Sequence, residues 1–274
     1  MDDIPPRMLD PFLIWHELPR AFHKPGEFPG APRHPHRGFM ECPYMREITA
    51  TTGTATSKAT IWAGGKSRTI ETEPGAFELG KVGIGMEHEI LTDKHWSGYL
   101  HGFQLWVNLP KANKLDAPYF QNAMPSSLPV VDLGGGASAR VLHGELKGSK
   151  SPTECDVVQW QYLDFELAPS STLFHDPPAA MTTVMLYVYR GDLSIGDQSV
   201  PTSTVAVLQG SGGVEAKAGS EGAGFMFIAG APIGEVPVQH GPFVMTSRQE
   251  IMQAFQDFQT GRLTPKEATT VVYN

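Results

Sequence analysis

The chain has 274 residues and a formal net charge of −8, from 21 basic and 29 acidic side chains with no run of consecutive Lys or Arg. That length excludes a single small domain, and the acidic balance speaks against direct binding to nucleic acid, whose phosphates need a positive face. Twenty-nine glycines and 23 prolines disfavour an all-α fold, because both residues disrupt helix interiors.

Two distant cysteines, Cys42 and Cys155, show no CxxC spacing and read as reduced intracellular thiols. The opening MDDIPPRMLDPF lacks the basic and then apolar stretches of a secretory signal. The longest purely apolar run, Val184 to Tyr189, is too short to span a bilayer. The expectation is a cytoplasmic or nuclear monomer without membrane attachment.

In chain order, the first informative stretch is Arg33-His34-Pro35-His36-Arg37-Gly38-Phe39-Met40-Glu41. Glu73-Pro74-Gly75 reads as a turn, and Phe103 to Leu109 alternates as a strand, with Phe, Leu, Val and Leu on one face and Gln104, Trp106 and Asn108 on the other. Pro125 to Ala139 breaks the periodicity and marks a domain boundary. Beyond it, Asp156 to Leu167 continues the alternation, while Val184 to Tyr189 and Gly224 to Ile233 are apolar on both faces, as in buried strands. Arg190-Gly191-Asp192 and Gly210 to Gly213 read as turns. Ser247 to Arg262 is the exception: Ile251, Phe255 and Phe258 recur at helical spacing, and Ser247 with Glu250 forms a capping box. Short strands between Gly/Pro turns predict antiparallel sandwiches or barrels with this helix packed on a sheet.

On a strand, residues two apart share a face about 6.6 Å apart, so His34 and His36 can place imidazoles on one side of a single ion. Glu41 would add an oxygen ligand, and His88 would complete the set; this His-x-His-x(3 or 4)-Glu spacing with a later histidine resembles cupin barrels. Three imidazoles and one carboxylate suit Fe(II) or Mn(II), with Ni(II) or Cu(II) also compatible, whereas zinc favours closed tetrahedral or hydrolytic sites. His101 reads as a structural histidine. His143, His175 and His240 form no pair, so the second half reads as metal-free.

Several stretches in order resemble the pirin family: Phe28-Pro29-Gly30, HPHRGF (His34 to Phe39), Pro74-Gly75, Gly83 to His88, GFQLWVNLP (Gly102 to Pro110), IAGAPIGEVPVQHGPFVM (Ile228 to Met245) and the final helix. The resemblance implies an all-β bicupin of two antiparallel cupin barrels with a C-terminal α-helix. Residues 1–132 would form the metal-bearing barrel. Residues 133–274 would form a metal-free barrel ending in a helix at about 247–262.

The resemblance also implies one non-haem metal, usually iron, on His34, His36 and His88. The family's glutamate, two residues past the third histidine, is Ile90 here. The missing oxygen then comes from Glu41, from Glu89 turned inward by a bulge near Gly85, or from water; a weak or empty site is the remaining outcome. Some pirins are flavonol 2,3-dioxygenases that open quercetin-like rings with O2; others are iron-dependent regulators that dock onto transcription factors or metabolic enzymes. The enzymatic reading stands first, with Glu41 taking a substrate hydroxyl proton. The second is a redox sensor whose acidic charge suits a basic partner protein.

Overall fold

The computed structural model describes residues 4–28, 30–208 and 212–266. Pro29 and, in the expected 210–213 turn, Gly210 and Ser211 lie outside these residues. The described chain is predominantly antiparallel β with one α-helix. It divides into two compact units, one of residues 12–125 with 235 onward, the other of residues up to Pro11 with 126–234.

In the first unit the strands are β1 (Phe12–His23), β2 (Gly30–His36), β3 (Phe39–Ile48), β4 (Ser57–Ala63), β5 (Lys66–Thr72), β6 (Phe77–Lys81), β7 (Met86–Thr92), β8 (Gly98–Asn108) and β9 (Tyr119–Ala123). They form a five-stranded sheet, β1-β8-β3-β6-β9, and a four-stranded sheet, β2-β7-β4-β5. The chain changes sheets between His36 and Phe39. Gly38, at φ 90°, supplies the left-handed conformation of that corner. Phe39 and Phe120 from one sheet pack with Ile61, Ala63 and Met86 from the other, which is the inner layer of a β-sandwich.

The second unit contains β10 (Val130–Gly134), β11 (Ala137–His143), β12 (Glu145–Leu146), β13 (Ser149–Lys150), β14 (Trp160–Leu167), β15 (Thr172–His175), β16 (Thr183–Ile195), β17 (Gln198–Val200), β18 (Thr204–Leu208) and β19 (Val214–Gly230). Its sheet runs β10-β11-β14-β19-β16-β17, with β15 on β19 and β18 on β16. Alternate residues Leu163, Phe165 and Leu167 of β14 join Leu186, Val188, Phe225 and Phe227 in one apolar core. Among the described residues, the main ladders of neither unit run round into a closed hydrogen-bonded barrel.

The chain returns to the first unit as a ribbon, β20 (Val238–His240) with β21 (Phe243–Met245), and the helix α1 (Arg248–Gln259). The Ser247 side chain accepts from the Glu250 backbone N–H, while Glu250 accepts from the Thr246 N–H and hydroxyl. The cap is therefore shared between two residues.

The stretch from Pro125 to Ala139, expected as a domain boundary, contains the division between the units after Pro125 and then the β10–β11 hairpin, turned by three glycines at positive φ. Three expectations change. Arg190-Gly191-Asp192 is no turn: it is an irregularity inside β16, where Gly191 at φ 68° absorbs the register shifts. The helix groups with the N-terminal strands, unlike a division at 132/133. In α1, Ile251 and Ala254 are buried, whereas Phe258 is 38% exposed, so the apolar stripe is narrower than its spacing suggests.

Candidate metal site

His34 and His36 stand at the end of β2, and His34 is the direct cross-strand partner of His88 on β7. The ring nitrogens converge: His88 Nε2 lies 2.9 Å from His34 Nε2 and 3.2 Å from His36 Nε2. These three form the one metal-capable group of three or more His, Cys, Asp or Glu side chains found among the described residues. For bonds of about 2.1 Å, nitrogens at right angles about a metal are about 3.0 Å apart and tetrahedral ones about 3.4 Å. The observed spacings are close enough for the three nitrogens to share one ion.

The outer nitrogens have their own neighbours. His34 Nδ1 donates to the Pro32 carbonyl at 2.7 Å, which leaves the Nε2 lone pair facing the cluster. His88 Nδ1 is 3.3 Å from Glu41 Oε1. The Pro242 carbonyl stands beside the His36 ring, although His36 Nδ1 makes no well-formed hydrogen bond.

Glu41 comes from the other sheet. On β3 it pairs with Trp106 and Gly80, and Gly80 gives it room, since a Cβ there would stand 3.2 Å from Glu41 Cγ. Its Oε2 is 3.4 Å from His36 Nε2. Burial, then the nearby Glu78, raises the Glu41 pKa well above the ordinary carboxylate value against an opposing bond from Gln104. Burial, then His34, lowers His36 to about 3 against the Pro242 carbonyl, and burial, then His36 and His34, drives His88 well down. Both rings are therefore neutral at pH 7, the form in which imidazole binds metal.

Both Glu41 oxygens are buried without a well-formed hydrogen bond. Bringing three imidazole nitrogens and an under-satisfied carboxyl together is costly without a cation and favourable with one. The donor set therefore fits a divalent metal. Ile90 faces the same space as His88. Glu89 does not: the β4–β7 register runs without a shift from Trp62↔Glu87 to Ser57↔Thr92, so alternation sends Glu89 to the opposite face, where Glu87 binds Arg33 at 2.8 Å. The expected bulge is absent from this strand.

Above the histidines opens a cavity of about 420 Å³, walled by Ile14, His16 and Leu18 of β1, Pro43 and Met45 of β3, Ile90 of β7, and Phe103, Gln104 and Trp106 of β8. That is within the size range of small-molecule pockets. Outside the three ligand candidates, the polar side chains of its wall are His16 and Gln104, adjacent partners on β1 and β8. Glu41 shares a strand face with Pro43 and Met45 but lies deeper, and it does not form part of the wall.

Asn108 shares the strand face of Gln104 and Trp106 as expected, but it does not line the cavity and accepts from Lys114 Nζ at 2.7 Å. His101 is buried and bonds Glu17 at 2.9 Å, as a structural histidine should. Cys42 is fully buried. His143 stacks on Trp160, His175 bonds Gln161 and His240 packs edge-on to Phe255, so the three serve separate contacts.

Sequence reasoning passed over His16 and Arg37. The spacing of Ile14, His16 and Leu18 on β1 carried the first signal. The second, Arg37, is 4% exposed, and its partners are too distant in sequence to be read from a motif.

The family model for the pirin C-terminal cupin domain matches residues 162–264. A pirin-like protein of Caulobacter vibrioides is 35% identical over 259 residues, 93% of this chain and 88% of its own. Pirin of Homo sapiens is 32% identical over 259 residues, 93% of this chain and 83% of its own. Among solved structures, a quercetin 2,3-dioxygenase from Acinetobacter baumannii has a TM-score of 0.81 at 26% identity, covering 95% of this chain and 88% of that one. No helix among the described residues is long and apolar enough to cross a membrane.

Proposed function

This chain belongs to the pirin family, and from that premise we propose that it is a metal-dependent dioxygenase acting on quercetin-like flavonols, with each unit a cupin module and the metal in the first. The observation that carries the reading is the convergence of His34, His36 and His88 at the floor of a largely apolar cavity. The similarity to a quercetin 2,3-dioxygenase over most of the chain supports it.

Three imidazoles and a carboxylate oxygen suit Fe(II) first, with Mn(II), Ni(II) and Cu(II) as alternatives. When bound, the metal supplies a Lewis acid for a substrate oxygen and the redox partner for O2. His34, His36 and His88 hold it. Glu41, with Oε1 3.3 Å from His88 Nδ1 and Oε2 3.4 Å from His36 Nε2, would supply the oxygen donor that Ile90 does not provide.

Glu41, the first candidate for taking a proton from substrate, is not among the residues that line the cavity. His16 and Gln104 are the polar side chains left to hydrogen-bond a phenolic hydroxyl, and the His16 imidazole is the one of the two that can take its proton. Leu18, Ile90, Phe103 and Trp106 hold the aromatic rings and exclude water.

The test is O2 uptake with quercetin after anaerobic reconstitution with Fe(II). Turnover by the native chain and none by His36→Ala is the expected result. A fully metallated protein that consumes no O2 would remove the enzymatic reading and favour the redox-regulator alternative, in which the same site faces a protein partner.

A further inference from the structure

We propose that Arg37 is a positioning residue through which the C-terminal segment, from β20 through α1 to Leu263, fixes the His36 strand, so that metal binding and the docking of α1 reinforce each other. This inference rests on the three-histidine metal reading.

Arg37 follows His36 directly at the corner between the two sheets, and its side chain reaches three partners that the rest of the chain brings there. Nε donates to the Ile84 carbonyl, Nη1 to Asp257 Oδ2 at 2.8 Å, and Nη2 to the Leu263 carbonyl at 3.5 Å. Its backbone is held as well: the N–H donates to Pro242 O at 3.4 Å, and the carbonyl accepts from Val244 N–H at 3.0 Å. The corner is thus gripped by the ribbon on one side and by the helix on the other.

The fit leaves little slack. A Cβ on Gly38 would stand 2.0 Å from the Val244 carbonyl, and one on Gly85 would stand 2.0 Å from the Leu263 carbonyl. Lys114 binds the corner to the ribbon a second time, donating to Gly38 O at 2.8 Å and Val244 O at 3.0 Å. The Pro242 carbonyl of the same segment stands beside the His36 ring.

Undocking the C-terminal segment would therefore take the Asp257 carboxylate from a buried guanidinium, a costly state, and would withdraw the Pro242 carbonyl, a polar neighbour of a metal ligand. Whatever holds the corner in place favours metal, and by reciprocity metal favours the docked helix. A purely structural staple would stabilise the fold without this coupling.

The experiment uses the full chain with Co(II) as the probe, whose visible spectrum reports ligand geometry. Chelator competition measures Co(II) affinity, and hydrogen exchange of residues 248–259 is followed with and without Co(II). In the native chain, Co(II) should slow exchange in α1. Asp257→Asn should weaken Co(II) binding by about tenfold or more, alter the spectrum and abolish the slowing. Met252→Ala, on the exposed face of α1, should do none of these.

Unchanged Co(II) affinity in a folded Asp257→Asn protein overturns the proposal, as does α1 exchange that ignores Co(II) in the native chain. The native-chain comparison decides alone if the variant does not fold. A native chain that binds no Co(II), or binding that survives His36→Ala, overturns the three-histidine reading and this inference with it.

Discussion

His143 in the second unit is a buried histidine whose surroundings set a pH dependence of stability. It is 4% exposed, its Nδ1 pairs with Thr153 Oγ1 at 2.9 Å, and its ring stacks on Trp160 at 4.1 Å. Burial, then the charge of Lys150, lowers its pKa from 6.5 to about 3. The unfolded chain therefore binds more protons than the folded one below pH 6.5. The contribution of the neutral ring is fully present above that pH and is lost as pH falls towards 3. Integrating between these values gives a loss of about 2 kcal/mol at pH 5 and about 3 kcal/mol at pH 4.

His143→Phe keeps a ring against Trp160 and cannot be protonated. Thr153 retains its bonds to Ser151 Oγ and the Leu142 carbonyl. Urea unfolding of chelator-treated protein at pH 7, 5 and 4 is the assay. Acid losses from His36 and His88 occur in both proteins and cancel in the difference. The native chain should lose about 2 kcal/mol more than the variant between pH 7 and 5. Equal losses would refute the buried, neutral state of His143.

Two predictions concern the site itself. Glu41→Gln preserves shape but replaces one of the carboxyl oxygens beside His36 and His88 with an amide nitrogen. Chelator competition should show metal affinity falling about 10- to 100-fold with the fold intact, and unchanged affinity would deny Glu41 any role at the metal. Ala31→Trp places a bulky ring in the cavity wall. It should abolish quenching of intrinsic fluorescence by quercetin while metal content stays at the native level; retained quenching would place the substrate elsewhere.

Much of the site was legible because it obeys the strand's period of two: His34 and His36 share a face by spacing alone. His88 could be named from the motif, and the register then sets it opposite His34. The Glu73-Pro74-Gly75 turn and the Ser247 cap were legible for the same reason, since their chemistry is local. What remained hidden depends on partners far along the chain. The depth of Glu41 follows from the missing side chain of Gly80 on a neighbouring strand. The role of Arg37 depends on Asp257, 220 residues away. The Arg190-Gly191-Asp192 stretch misled because a glycine at positive φ serves a bulge as readily as a turn.

The central claim is that three imidazoles share one cation. Elemental analysis after reconstitution with excess Fe(II) and desalting tests it most directly, on the native chain, His36→Ala and His88→Ala. The account predicts one iron per native chain and substoichiometric iron in both variants. Iron retained at the native level by either variant, or no iron on the native chain, would contradict it.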